Sequence, residues 1–488
     1  MSSPRTLQKL FALGVSSPAC GWSLDLLHDS VARFQDWRKL SESRTALAAI
    51  FTVGTLGLLA RILALFKAVM IARLFGSSGN LDAFYIALLL PYGLINVISG
   101  SIGVAFIPNY LYVKQHSGPD AAKRLFSSVS SLSLIVFLTL SALLAPLAEF
   151  ILRFLAPGFD FHRLAVTSNL FLIMLPFMAL SGVAAIWAFL LNAEGQFSVA
   201  SLSQCASPIV LVAALSVLTE KWGVYALATG TLLGALAELT IVGWELQRRG
   251  FSLLPRWHGY DEGMRSFVRQ FTPGIGGSLS SSGSQVVDQS MASMLPSGSV
   301  ASLNYGMGMV AAVLSIVANA LGTAMLPSFS RLVSIREWGG VRRLLRNYLV
   351  LAFLAGLVPM LLLIALSSPL TALLYQRGAF SAADTQLVAQ IQMAYALQLP
   401  AYLMATVVVR LLAALQRVWV RTIGGVGNLL MDVLLNYWLM RRMGIVGIAA
   451  STSVVCTMSF LYLGLMLRRE LAVAAGRPSP VPVILASP

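Results

Sequence analysis

The sequence predicts an all-α polytopic membrane protein of about 12 transmembrane helices, arranged as two pseudo-symmetric six-helix lobes around a central cavity. Three observations predict it. Only 11% of the 488 residues are charged, against about 25% in soluble domains. The mean hydropathy is +0.79, so lipid must be the solvent for most of the surface. Apolar windows recur along the chain, and the two halves match each other at a fixed offset.

Backbone groups in lipid must bond within their own segment, which leaves helices or closed barrels. The runs Leu132–Leu147 and Tyr348–Leu366 do not alternate, and that excludes barrels. Windows of sufficient length fall near 46–73, 82–110, 127–148, 166–191, 197–218, 223–244, 269–294, 301–327, 345–366, 387–413, 420–440 and 444–467. They divide the chain into an extension (1–43), an N-lobe (44–263), a C-lobe (264–472) and a Pro-rich tail (473–488). Residues 1–43 lack the apolar core and cleavage site of a signal peptide.

Charge sets the expected orientation. With the N-terminus inside, 25 of the 34 Lys and Arg lie in segments on that side. Seven lie opposite, and Arg61 and Lys67 fall inside the first span. The positive-inside rule then puts both termini in the cytoplasm of a bacterial inner-membrane protein. It also accounts for the net charge of +15 without nucleic acid.

The repeat is carried by short matches in one register. Ala105-Phe-Ile-Pro108 matches Ala324-Met-Leu-Pro327, and Lys123-Arg-Leu125 falls on Arg342-Arg-Leu344 without a gap. Ala72 and Tyr85 match Ala292 and Tyr305. The offset encloses six spans, an even number, so both halves insert the same way, as alternating-access carriers do.

The chain has no G-x-x-x-x-G-K-[ST] loop and no H-E-x-x-H, and its four His form no catalytic arrangement. Cys20, Cys205 and Cys456 are scattered and odd in number. An enzyme is not expected, nor a tightly bound cofactor. A carrier of this build would draw on an ion gradient or the membrane potential.

Polar side chains at membrane depth are the candidate functional residues. Arg61 and Lys67 lie in span one, Asp82 at the mouth of span two, and Asp288 in span seven. Asp82 reads equally well as an N-cap of its own helix. Asn428 and Asp432 are four apart in span eleven and share a face. With Asp288 they suit a hard cation such as Na⁺; interhelical hydrogen bonding is the alternative. Pro91, Gly93, Gly100 and Gly103 are expected to bend span two, and Pro273 to Gly277 to soften span seven.

Several segments, in order and spacing, resemble the MurJ/MviN family. They include Ala72-Arg-Leu-Phe-Gly-Ser-Ser-Gly-Asn-Leu-Asp-Ala-Phe-Tyr85, Leu155-Ala-Pro-Gly-Phe159, Val287-Asp-Gln-Ser-Met-Ala-Ser293 and Gln376-Arg-Gly-Ala-Phe380. The resemblance covers about 45–470. It implies a flippase for lipid II, the lipid-linked peptidoglycan precursor, within the multidrug/oligosaccharidyl-lipid/polysaccharide exporter superfamily. It also implies a Na⁺ site at Asp288, Asn428 and Asp432, completed by Thr452 and the Ile448 carbonyl.

The resemblance implies a cavity lined by arginines that grip a diphosphate. Arg61 keeps its arginine, but Lys67 lacks the two-pronged donor. Ile95, with Asn96 beside it, and Gly308 stand at the other arginine positions. Ala68 and Gly100 stand where acidic residues are usual, and two further C-terminal helices are not expected. Arg61, Lys67, Asp82 and Asn96 form the expected substrate-facing set. The expected partners are a lipid-linked saccharide, membrane lipids and glycan-synthesis enzymes. An exopolysaccharide or O-antigen flippase, a cation-coupled small-molecule exporter and a transport-inactive scaffold are the alternatives.

Overall fold

The computed structural model describes residues 55–476. The predicted extension 1–43 and residues 477–488 of the tail lie outside the described residues. Fifteen helices follow one another, with no strand among the described residues. They are α1 (Thr55–Phe75), α2 (Gly79–His116), α3 (Pro119–Leu144), α4 (Ala148–Leu155), α5 (Phe161–Ala193), α6 (Phe197–Trp222) and α7 (Val224–Arg248). Then come α8 (Glu262–Ala292), α9 (Ser299–Ser334), α10 (Trp338–Ala365), α11 (Ser367–Tyr375), α12 (Ala382–Ala396), α13 (Leu399–Ala414), α14 (Val418–Met443) and α15 (Ile445–Gly476).

Eleven segments among the described residues are long and apolar enough to cross a membrane, counting α12 and α13 as one. The twelfth expected span is α8. Its 31 residues would reach about 46 Å, but its many Ser, Gly and Gln residues make it less apolar than the rest. It packs against α2 and α14, and Asp288 and Gln289 near its C-terminal end are buried. Elsewhere, large apolar side chains are left exposed, among them Phe154, Phe161, Leu361 and Leu434. On a soluble protein such surface would aggregate; here it faces acyl chains.

Local chemistry sets the helix ends. Ser78 caps α2 by accepting from the Leu81 amide at 3.4 Å. Asp261 caps α8 by accepting from Met264 at 2.8 Å. Ser381 and Asp384 form a reciprocal capping box at α12. Polar residues within spans bond back to their own turn, as Ser131 does to the Ser127 carbonyl and Thr231 to the Leu227 carbonyl, each at 2.7 Å. That leaves few polar groups to satisfy in lipid.

The repeat read from short sequence matches runs through the whole element order. Helix starts at 79, 119, 148, 161, 197 and 224 are followed by starts at 299, 338, 367, 382, 418 and 445, an offset of 219 to 221 throughout. Packing partners repeat as well. α2 packs on α5 as α9 packs on α12 and α13, and α6 packs on α7 as α14 packs on α15. Even the turns correspond: Gly223 (φ 53°) enters α7 as Gly444 (φ 58°) enters α15.

The segments expected to bend stay helical. Despite Pro91, Gly93, Gly100 and Gly103, α2 is one continuous helix. Gly103 serves packing instead, since a Cβ there would lie 2.6 Å from the Phe189 ring. α8 is also continuous through Pro273 to Gly277. The interruption falls in span ten, between α12 and α13, at Leu397 and Gln398 just before Pro400. A proline in the first turn starts a helix readily and ends the preceding one.

One end of the molecule is closed by interlocking turns from the two halves. The Ala379 amide donates to the Arg73 carbonyl at 2.9 Å. Gly158 packs on Ser293 and Met294 as Gly378 packs on Arg73. A Cβ at Gly378 would collide with the Arg73 carbonyl, and its φ of +62° disfavours a side chain in any case. We expect Gly378→Ala to destabilise this closure by about 2 kcal/mol or more, read as a lower thermal transition of the purified protein.

The opposite end carries a charged cluster. Glu194 accepts from Lys114 at 2.7 and 2.8 Å and from the Tyr110 hydroxyl at 2.5 Å. Burial pushes the Glu194 carboxyl up, but these bonds and the charges of Lys114 and Arg249 outweigh it. The group is held below the ordinary carboxylate range, so its stabilising contribution exists above the unfolded value of about 4.3. That contribution is lost as pH falls through the lower folded value. Lys114 is 38% exposed, so screening reduces the effect to about 1 kcal/mol. Glu194→Gln should therefore unfold more easily at pH 7, and the gap from wild type should close in acid.

Candidate functional site

A cavity of about 820 Å³ lies within the second half, between α8, α9, α12, α13, α14 and α15. Its walls carry Asp288, Asp432, Asn428, Gln398, Thr452 and Cys456. The α12–α13 junction sits at this level, with Tyr395 before it and Gln398 within it lining the cavity. Broken helices are tolerated at membrane depth where they line a cavity.

Two carboxylates sit side by side in the cavity wall. Asp288 is 7% exposed and Asp432 is 1% exposed. Asp288 accepts from the Asn436 amide at 2.6 Å and from the Thr452 hydroxyl at 3.3 Å. Ser451 donates to the Asn436 oxygen. Both oxygens of Asp432 are buried, with Ser284 and Asp288 beside it and no cationic side chain of the described residues in contact. Burying an unpaired carboxylate costs several kcal/mol, so the arrangement calls for a positive charge or a proton.

The repeat supplies an internal comparison. By the offset of α6 and α14, Asp432 falls on Leu211 and Asn436 on Leu215. Both leucines are buried in the apolar core of the first half. The fold therefore builds this position with leucine, and it needs neither the carboxylate nor the amide. The polar cluster belongs to the chemistry of the second half.

Of the predicted ion ligands, the structure brings Asp288, Asp432 and Thr452 together. Asn428 lines the same cavity, but its amide donates to Ser459 at 2.9 Å. The Ile448 carbonyl accepts from Ser451 at 2.7 Å and Thr452 at 3.1 Å. The sequence reading missed Asn436 and Ser451. Asn436 lies four residues beyond Asp432, as Asn428 lies four before it, so i,i+4 spacing applied in both directions would have found it. No group of three or more His, Cys, Asp or Glu occurs among the described residues. Two carboxylates with neutral oxygens suit a hard cation rather than a soft one.

The predicted substrate-facing residues do not converge on this cavity. Arg61 and Asn96 are exposed and Lys67 is half-buried, and none of the three lines it. Asp82 is 1% exposed and caps a helix, though not its own. It accepts from the Gly298 amide at 2.6 Å and the Ala301 amide at 2.7 Å, at the start of α9. The positive end of that helix dipole explains why a carboxylate is buried there. Ser77 and Ser302 add a hydroxyl contact at 3.1 Å beside it. Asp82 therefore ties the two halves together at the interlocked end.

The sequence profile of the lipid II flippase MurJ family matches residues 71–481. The chain belongs to that family. Among MurJ relatives, the lipid II flippase MurJ of Burkholderia cenocepacia is 26% identical over 442 residues, covering 88% of this chain and 85% of its own. The probable lipid II flippase MurJ of Buchnera aphidicola from Acyrthosiphon pisum is 24% identical over 437 residues, with the same coverage of both. A solved lipid II flippase MurJ in an inward closed conformation superposes with a TM-score of 0.74 at 24% identity, over 87% of this chain and 89% of that one. An inward-facing multidrug resistance MATE transporter of the MOP superfamily gives 0.70 at 14% identity, over 88% and 100%. The last two likenesses establish the fold, a multi-pass membrane architecture that MurJ and MATE proteins have in common.

Proposed function

We propose that this chain is an inner-membrane flippase for a polyprenyl-diphosphate-linked glycan precursor, lipid II or a related envelope saccharide. The observation that carries the reading is membership of the MurJ family across residues 71–481. The headgroup crosses between two like-oriented halves that open alternately. The prenyl tail stays in lipid, so the protein shields only the polar group.

The orientation follows from charge: both termini lie in the cytoplasm. The end closed by Asp82 is then extracytoplasmic, and Lys114, Glu194 and Arg421 lie toward the cytoplasm. Arg61 and Lys67 attract the anionic headgroup from that side.

Na⁺ is the coupling ion in this reading, held by Asp288, Asp432 and Thr452, with the Asn428 carbonyl within the same cavity. The burial of Asp432 beside Asp288 supports it. A monovalent cation would neutralise one of two adjacent buried carboxylates, and a proton would do the same. Titration of the purified protein with Na⁺ at fixed pH separates them: Na⁺ should raise thermal stability in a saturable way that K⁺ does not reproduce.

Proteoliposomes test the main reading. Loaded with lipid II, or with a lipid-linked exopolysaccharide unit, they should expose headgroups to an externally added modifying enzyme faster than protein-free vesicles. No acceleration for any lipid-linked glycan would sink the proposal.

A further inference from the structure

The cavity of the second half has a cationic mouth that the aspartate pair does not explain. Arg410, one turn before the end of α13, and Arg421, one turn into α14, both line it. The connecting turn places them at the same end. Among the described residues neither has a carboxylate within ion-pair distance. The neighbouring Arg417 is different: it pairs with Glu470 at 2.9 Å. Two arginines at one mouth of a cavity, with no carboxylate of the described residues paired to either, offer a docking point for an anion.

The repeat again separates function from fold. By the same offset, Arg410 falls on Phe189 and Arg421 on Ala200. Phe189 fills the space above Gly103, and Ala200 is buried. The first half closes with apolar residues the space that the second half keeps open and lines with guanidinium groups.

Below the arginines the wall carries hydrogen-bonding groups of the kind that hold sugars. Asn428 lies about two turns deeper along α14 than Arg421. Gln289 donates to Asn304 at 3.3 Å, and its own oxygen is buried without a partner. Tyr402 adds a hydroxyl within the field of Arg421. Asp432 lies eleven residues beyond Arg421, about 16 Å along the helix. The volume, about 820 Å³, suits a ligand of drug size or larger.

We propose that this second-half cavity is a binding site for a phosphorylated sugar, with Arg410 and Arg421 gripping the phosphate and Gln289 and Asn428 bonding the sugar hydroxyls. The proposal rests on the flippase reading for its cargo and adds a site in the opposite half from Arg61 and Lys67. Guanidinium forks suit phosphate oxygens in a way that single ammonium charges do not. The phosphate belongs to a lipid-linked headgroup or to a soluble sugar diphosphate, and the test separates these sources.

Purified protein in nanodiscs would be titrated with three probes: inorganic pyrophosphate, UDP-N-acetylglucosamine, and a short-chain prenyl-diphosphate-linked N-acetylglucosamine. Arg410→Gln/Arg421→Gln should weaken binding of the prenyl-linked probe at least 30-fold. Arg421→Gln alone, at the exposed rim, should weaken it about tenfold. Arg441→Gln/Arg442→Gln removes two charges stacked on Tyr437 and Trp438 outside the cavity, and should leave affinity within twofold. A lipid-linked cargo predicts that the prenyl-linked probe binds much more tightly than UDP-N-acetylglucosamine; equal affinities assign the site to soluble sugar phosphates. Equal binding by wild type and by a well-folded Arg421→Gln overturns the proposal, even if vesicles still flip lipid. Arginine-dependent binding without any flipping supports the site and removes the flippase reading instead.

Discussion

Asp432→Asn should abolish Na⁺-dependent stabilisation and slow headgroup translocation at least tenfold, yet leave the unliganded protein as stable as wild type or more so. The carboxylate is 1% exposed. A second carboxylate, Asp288, stands beside it. Replacing a buried charge that stands beside a second carboxylate by an isosteric neutral group relieves desolvation and repulsion on the order of several kcal/mol. Site residues commonly carry such a stability cost. A purely structural Asp432 predicts the reverse: the amide would lower the thermal transition and leave transport per folded molecule unchanged. Differential scanning fluorimetry with and without Na⁺, on protein also assayed for flipping, distinguishes the two. Leu211 in the first half makes the structural alternative hard to sustain, because the same helix packs there without any polar group.

The second large effect is expected at Asp82. Asp82→Ala removes a carboxylate that accepts from two backbone amides of α9 at 2.6 and 2.7 Å. Those amides become buried and unsatisfied, and the helix dipole loses its counter-charge. The combined loss is about 3 kcal/mol, which moves a two-state equilibrium roughly 100-fold away from the conformer closed at this end. A cysteine at Ser302, fully buried in the closed form, reports the shift. Its alkylation by a membrane-impermeant thiol reagent should rise steeply in the Asp82→Ala background. Unchanged protection would mean that Asp82 does not hold the end closed.

Much of this architecture is legible in the sequence, for a physical reason. Lipid enforces helices, and helices of spanning length announce themselves by apolar windows. The basic residues and short motifs such as Phe106-Ile-Pro108 kept the repeat register visible. α8 is the partial exception: it packs on α2 and α14 and carries cavity-lining polar residues, so it is less apolar than the rest. Backbone breaks are harder to read. The prolines and glycines of α2 lie in one continuous helix, and Gly103 is a packing contact for Phe189. The break that does occur depends on Pro400 beginning a new helix beside an open cavity.

Side-chain partnerships were legible only in part. Asp288 and Asp432 stood out because charges inside spans are rare. Which of Asn428 and Asn436 serves Asp288 is decided by how α14 sits against α8 and α15, and that is not written in spacing along one helix. Asp82 was visible as a cap, but the helix it caps begins more than 200 residues away in sequence. Arg410 and Arg421 drew no attention because they sit near span ends, where positive charge is ordinary. Only the cavity, and the apolar residues at the same register in the first half, set them apart.

Alternating access through the interlocked end is the central claim, and a reversible lock tests it most directly. Ser77 and Ser302 approach to 3.1 Å between hydroxyls, one from each half, so cysteines at both positions are placed to form a disulfide. With Cys20, Cys205 and Cys456 replaced, the double-cysteine protein would be assayed in proteoliposomes, oxidised and then reduced. The account predicts headgroup translocation near zero when oxidised and its recovery on reduction, while single-cysteine controls ignore the treatment. Equal translocation in the oxidised and reduced forms, with the disulfide confirmed by mass, would contradict it.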